Sequence, residues 1–371
     1  MGEYNYERLR KIEISKGSPR CIYEPIGEEL PSREIWAELP NFYKAHVLEK
    51  NEMVSSLLAK IPNKECFVFF SDCHVRQNRM LSVPILRSIL KNTDIDKVIY
   101  GGDTVSAWVN EKTMVEDVIF FNDAFAFAKP YIVRGNHDLY GKEFWIANEG
   151  ALMNSTDASS YLFRDMKDRV IIEEGKTYYY FDCEKTKTRF IVIDTNEHLS
   201  PVYDSDGLWD CTVRVSSEQL DWFADRLSDM KDGYDAVVIG HIPFFEQLRH
   251  HYDGALPFGD IVSAFNSKET LSKAVRLGDS EYEMRYDFSS TSGRVIATFC
   301  GHGHCDDAFV SEDGCVNIEI HCDAPGTDNG GSTYKKCYGT VDESSLDAVI
   351  IDRDTNRVYT VRYGCGIDRE F

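Results

Sequence analysis

Five short polar stretches carry side chains of the kind that bind metal ions: Asp72-Cys73-His74, Gly101-Gly102-Asp103, Gly135-Asn136-His137-Asp138, Gly240-His241 and Gly301-His302-Gly303-His304. Together they offer imidazole, carboxylate and side-chain amide groups, with no thiolate at the key spacing. Such nitrogen and oxygen mixtures suit Mn, Fe, Zn, Co or Ni, rather than an all-oxygen Ca or Mg cage or a Cys-rich structural zinc. The groups are too many for one tetrahedral ion and suit two ions sharing a bridging carboxylate. Taken singly, each stretch has a plainer reading: His241 can close a strand, Asp72 or Asp103 can cap a helix, and Gly-Asn-His-Asp is ordinary turn chemistry. Their joint occurrence favours metal. In an extended segment alternate residues point the same way, so the pairs Asp72/His74 and His302/His304 are each expected to reach one small region.

These stretches must be positioned by the apolar runs that precede them. Phe67-Val68-Phe69-Phe70, Val98-Ile99-Tyr100, Tyr131-Ile132-Val133, Ala236-Val237-Val238-Ile239 and Val295-Ile296-Ala297-Thr298-Phe299 each break off into one polar stretch. Apolar runs alternating with helix-like segments signal βαβ units and a largely parallel sheet buried on both faces. The strand ends of a parallel sheet open onto one edge, which would gather the five stretches. Phe190-Ile191-Val192-Ile193 adds a strand, and residues 217–230 read as a helix. The runs Val316–Ile320, Ala348–Ile351 and Arg357–Val361 read as a hairpin meander, hence a second, partly antiparallel sheet.

Residues 1–63, punctuated by Pro19, Pro25, Pro31, Pro40 and Pro62, read as an N-terminal extension packing on the core. Within it Val47, Val54, Leu57 and Leu58 recur at helical spacing. Residues 64–371 form the main domain, with cap-like insertions at about 197–213 and 246–293, the second including a helix-like 267–277. Loops of that length usually cover a site or bind something. Tyr140, His250 and His251 are pocket-lining candidates beside a plain surface role.

At 371 residues the chain fits one large α/β domain, and 43% hydrophobic residues exclude global disorder. A net charge of −21 repels polyphosphate backbones, so long nucleic acid is not an expected partner. Eleven scattered cysteines without a CxxC pair suit a reducing compartment. Neither a signal peptide nor a run of 18 apolar residues is visible, so a cytoplasmic protein without a membrane partner is expected.

The five blocks, in this order across residues 65 to about 305, resemble those of the calcineurin-like metallophosphoesterase superfamily. The tail Gly364-Cys365-Gly366-Ile367-Asp368-Arg369-Glu370 is also similar to calcineurin-like phosphoesterases of Gram-positive bacteria and their phages, which implies a phage-encoded or virion-associated context as an alternative. The resemblance implies a four-layer αββα fold, an α/β sandwich of two mixed sheets packed face to face with helices outside. It implies two transition-metal ions: Asp72, His74 and His304 would hold the first, Asn136, His241 and His302 the second, with Asp103 bridging. Such a centre activates water for in-line attack without a covalent intermediate. His137 would then serve as general acid or stabilise transition-state charge, and Asp138 would orient it. Arg76 and Arg134 are candidates for bidentate contact with the phosphate, or for salt bridges to acidic neighbours.

The expected activity is hydrolysis of a small phosphate ester, a phosphodiester ahead of a monoester. A phosphomonoesterase or protein phosphatase of the same fold is the alternative. A metal-stabilised scaffold without turnover is a third reading, against which stands His137, since a scaffold needs no general acid.

Overall fold

The computed structural model describes residues 29–106, 111–138, 161–203, 209–248, 257–277, 280–325 and 334–371. Helix α1 (Asn41–Lys60) precedes strand β1 (Lys64–Phe70), followed by α2 (Ser82–Asn92), β2 (Val98–Tyr100), α3 (Glu111–Phe125) and β3 (Tyr131–Ile132). Then come β4 (Ile171–Ile172), β5 (Tyr179–Cys183), β6 (Thr188–Val192), β7 (His198–Tyr203), β8 (Trp209–Arg214), α4 (Ser217–Ser228) and β9 (Asp235–Ile239). The chain continues with α5 (Phe258–Ser267), β10 (Thr270–Leu277), β11 (Ser280–Asp287), β12 (Val295–Cys300), β13 (Asp307–Val310), β14 (Val316–Glu319), β15 (Ser345–Asp352), β16 (Val358–Gly364) and β17 (Arg369–Glu370). No helix among the described residues is long and apolar enough to cross a membrane.

Two mixed sheets dominate. The first has six strands in the order β17-β16-β15-β1-β2-β3, the second seven in the order β13-β14-β12-β9-β6-β5-β4. Strands β1, β2 and β3 run parallel, as do β14, β12, β9 and β6. The sheets meet through aromatic side chains: Phe67 packs edge-on against Phe190 and Phe299, with ring centroids 5.4 and 5.3 Å apart. Helices α1 to α3 bury apolar faces on the outer side of the first sheet, while α4 and α5 do so on the second. This is the four-layer sandwich, and its aromatic pairs add to the area term that drives burial.

Two expectations need correction. The late apolar runs form no separate meander: β14 joins the second sheet beside β12, and β15 and β16 complete the first beside β1. Residues 270–277 are a strand, not a helix. Helix α5 ends where Lys268 turns left-handed, and the exposure of β10 mostly alternates, with Leu271, Val275 and Leu277 turned toward the core. Residues 249–256 and 278–279 of the 246–293 insertion lie outside the described residues, and the described part builds an outer layer on the second sheet. Phe258, Ile261 and Phe265 are buried there, and Tyr282 and Tyr286 donate hydroxyl hydrogen bonds to Asp221 of α4. The stretch 197–213 contributes the hairpin β7–β8. Helix α1 supplies Tyr43, Val47, Val54 and Leu58 to the main core, so the region before β1 is integral to it.

Candidate metal centre

Both sheets contribute to one cluster. Asp72 and His74 follow β1, Asp103 follows β2, and Asn136 and His137 follow β3; His241 follows β9, and His302 and His304 follow β12. The parallel strands of the two sheets end at the same edge, so two half-sites face each other across the sandwich. The loops are tightly wound. Asp72, His74, Asp103, His302 and His304 all have positive φ, between 40° and 73°. Extended alternation is therefore not what brings the D-x-H and H-x-H pairs together; left-handed turns do so, a conformation costly for residues other than glycine and concentrated at functional sites. Two glycines make room. A Cβ on Gly135 would lie 2.1 Å from Asp103 Oδ1, and one on Gly301 2.3 Å from Asp72 Oδ2.

Two donor groups emerge, one of Asp72, His74, Asp103 and His304, the other of Asp103, His241 and His302, each with its donor atoms within 4.8 Å of one another. Asp103 belongs to both. His304 Nε2 lies 3.3 Å from Asp72 Oδ1 and 3.2 Å from His74 Nε2. His241 Nε2 lies 3.2 Å from Asp103 Oδ2 and 3.0 Å from Asn136 Oδ1, which is also 2.9 Å from His302 Nδ1. His74 and His241 each hold Nδ1 against a backbone carbonyl, Val105 O at 2.9 Å and Gly101 O at 2.8 Å. Those nitrogens must donate, which leaves both Nε2 lone pairs turned inward.

The electrostatics fit bound cations. Asp103 Oδ2 is buried without a hydrogen-bond donor while imidazole nitrogens face it, His241 at 3.2 Å, His137 at 3.7 Å and His74 at 3.9 Å. Burial raises the cost of ionising Asp72 and Asp103, yet the surrounding imidazoles hold both carboxyls below their ordinary range. Burial likewise lowers His302 to about 3 and His137 to about 4. It opposes the charge on His241 too, but Asp103 and Asp72 outweigh it and raise that ring to about 9. A buried carboxylate facing convergent lone pairs suits a shared positive ion in each group.

His137 borders the cluster on its open side, with 26% of its side chain exposed. Asp138 corrects the expectation that it orients His137. Its carboxylate accepts from the backbone N–H groups of Asp103, Thr104, Val105 and Gly135 at 2.8–3.3 Å, locking the loops after β2 and β3 together. The two arginines also have other work. Arg134, 3% exposed, is paired with Asp194 and reaches Asn196 O. Arg76 donates from Nε to the buried Asp117 at 2.8 Å and lies 3.5 Å from Glu116. Both are salt-bridge residues, because a buried guanidinium needs a carboxylate more than an intermittent ligand. Tyr140, His250 and His251 lie outside the described residues. Cys73, Cys300 and Cys305 are buried.

One group near the cluster escapes the sequence pattern. His321 and Cys322 follow β14 as the other polar stretches follow their strands, and both are fully buried, in a segment whose Ala324 amide donates to Asp72 O at 3.1 Å. An apolar run breaking into His-Cys-Asp was the available signal.

An αββα sandwich whose strand ends converge on two carboxylate-linked histidine sets defines a class of metal-dependent phosphoesterases. The chain belongs to the calcineurin-like phosphoesterase family, whose sequence profile matches residues 67–306. Its fold is similar to that of a dimetal phosphatase from Danio rerio, with 12% identity, 82% of this chain and 98% of that chain covered, and a TM-score of 0.52. GAP50, the anchor in the inner membrane complex of Plasmodium, is also similar, with 12% identity, 80% of this chain and 83% of that chain covered, and a TM-score of 0.44. No curated protein matches the sequence. The family implies divalent metal ions and phosphoesterase hydrolysis, and the donor groups are a fitting site for the ions.

Proposed function

We propose that the protein hydrolyses a small phosphodiester at a dinuclear metal centre. The observation that carries this reading is the membership of Asp103 in both donor groups, which places one carboxylate between two sets of lone pairs. Asp72, His74 and His304 would hold one ion, Asn136, His241 and His302 the other, with Asp103 available to both. The donor set of imidazole, carboxylate and amide suits Mn, Fe, Zn, Co or Ni. When bound, the ions supply Lewis acidity that activates water and neutralises phosphoryl oxygens.

The chain's own residues supply the rest. His137 faces the open side of the cluster and, as a neutral imidazole, stabilises the charge growing on the leaving oxygen through its N–H. Asn136 contributes a neutral oxygen, which draws less positive charge from its ion than a carboxylate would. Asp138 keeps the Asp103 and Asn136 loops in register through four backbone N–H groups. A diester is favoured over a monoester because it brings one negative charge, where a phosphomonoester brings nearly two at pH 7, to a protein of net charge −21.

Metal-loaded protein should turn over bis-p-nitrophenyl phosphate faster than p-nitrophenyl phosphate. Failure on both substrates with Mn, Zn, Co, Ni and Fe would remove the enzyme reading, and a reversed ratio would make the protein a phosphomonoesterase.

A further inference from the structure

The second donor group is assembled from both sheets. Asn136 arrives on the loop after β3 of the first sheet and His241 on the loop after β9 of the second, yet Oδ1 of the one lies 3.0 Å from Nε2 of the other. A third loop, Asp194-Thr195-Asn196, follows β6, the strand beside β9, and supplies no member of either donor group. All three of its residues are buried.

This loop is bonded to both of the others. Thr195 Oγ1 accepts from the amide of Ile242, the residue after His241, at 2.9 Å. In the other direction Asn196 Nδ2 donates to Arg134 O, two residues before Asn136, also at 2.9 Å. The guanidinium of Arg134 turns back onto the same loop, pairing with Asp194 and lying 3.4 Å from Asn196 O, so Arg134 is held by its main chain and its side chain together. The loop itself is firmly anchored. Asn196 N donates to Asp194 Oδ1 at 2.8 Å, Asp194 N donates to Gln219 Oε1 of α4 at 2.7 Å, and Gln219 Nε2 donates back to Asp194 O at 3.1 Å. The turn that carries Asp72 and His74 is secured elsewhere, its amides donating to Gly102 O and Asp103 O at 2.9 and 3.1 Å.

We propose that Thr195 and Asn196 are positioning residues of the second donor group, a clip that fixes the separation of Asn136 and His241 across the two sheets. This rests on the dinuclear reading. Each of the two side chains holds a stretch of main chain from which a ligand projects. Ligands already standing at the right separation bind an ion more tightly than ligands that must first be drawn together, because the movement cancels part of the binding energy. The amide of Ile242 belongs to a buried residue, so losing its acceptor leaves an unmatched donor and frees the His241 loop to shift.

The test titrates metal-stripped full-length protein with Mn2+, an ion that the donor set suits, against a chelating indicator. The wild type should bind two ions. Thr195→Val, which keeps the branched shape and loses the acceptor, should weaken one of them by about 10–100-fold and leave the other at wild-type affinity. Thr195→Ser retains the hydroxyl and should restore most of the loss, while Asn196→Ala should weaken one ion as Thr195→Val does. Adding Thr195→Val to His241→Ala should cost no further affinity, because the clip acts through His241. Two ions bound at wild-type affinity by both Thr195→Val and Asn196→Ala would overturn this inference alone. So would equal weakening of both ions, which would make the loop a general packing element, and so would a further loss in the double variant. A wild-type protein that takes up no ion would overturn the metal-centre reading beneath it.

Discussion

Two clusters of buried carboxylates lie close together in this molecule, and they are neutralised in opposite ways. Around Arg362 the chain supplies its own cations. Arg362 is fully buried, forks bidentately onto Asp306 at 2.7 and 2.8 Å, and reaches Asp347 at 2.6 and 3.1 Å. Arg369 adds a bond to Asp347 at 2.7 Å, so two guanidiniums face two carboxylates with matched geometry. In the metal centre Asp72 and Asp103 are equally buried, yet their neighbours are imidazoles. The first cluster is electrically complete and rigid. The second is left short of fixed positive charge, which is what a site for exchangeable cations requires. The two nearly touch in sequence, since Asp306 stands two residues after His304.

The largest expected effect falls on the incomplete cluster. Asp103→Asn should lose both ions by elemental analysis and lower turnover of bis-p-nitrophenyl phosphate by about 10³-fold or more, given the several kcal/mol that bound metal contributes to transition-state charge. Retention of both ions would break the comparison. Within the same cluster, His137→Ala should keep its metal and lose about 10²–10⁴-fold in rate, whereas His304→Ala should lose metal. Equal metal loss in both would move His137 into the ligand set.

For the complete cluster, Arg362→Met takes the bidentate partner from the largely buried Asp306 and leaves Asp347 with Arg369 alone, and should destabilise the fold by about 3–5 kcal/mol in urea unfolding, an effect that chelators leave unchanged. A loss that appears only in metal-loaded protein would mean that the clusters are coupled.

The smallest effect concerns an intermediate case, the pair of Arg76 and Asp117. Burial pushes the Asp117 carboxyl up from 3.8 to about 7, against the pull of Arg76. The folded chain then holds this proton longer than the unfolded chain. Its contribution is present below about pH 4 and is lost as the pH rises toward 7. Asp117→Asn should flatten the decline in urea midpoint across that window; the same slope in both proteins would show that Arg76 keeps Asp117 ionised throughout.

The clustered residues were legible because each is announced locally, by an apolar strand breaking into a Gly- and His-containing loop. What the loops do in space was not. The left-handed turns at Asp72, His74, His302 and His304 fall on Asp and His, which adopt positive φ more often than other side chains but still in a minority of their occurrences, so residue type did not announce them. The partners of Arg76 and Arg134 lie far along the chain, at Asp117 and Asp194. Sheet membership also depends on distant pairing: β15 carries the composition of any late strand, and only its register against β1, Phe67 opposite Val349, assigns it. In residues 270–277 a short mixed run satisfied helical spacing while the two-residue period prevailed, because pairing with β11 buries one face.

The place of β15 beside β1 has a consequence for how the molecule is made. During synthesis β1 emerges early with Phe67, Val68, Phe69 and Phe70, and β2 can cover one of its edges soon afterwards. Its other edge waits for β15, almost the last strand to appear. Until then an apolar strand has an open side, the kind of edge on which nascent chains pair wrongly with one another. Chaperone demand should therefore be concentrated on the nascent chain before β15 arrives, and shortened chains that stop ahead of Ser345 should aggregate even though every member of the metal centre is present.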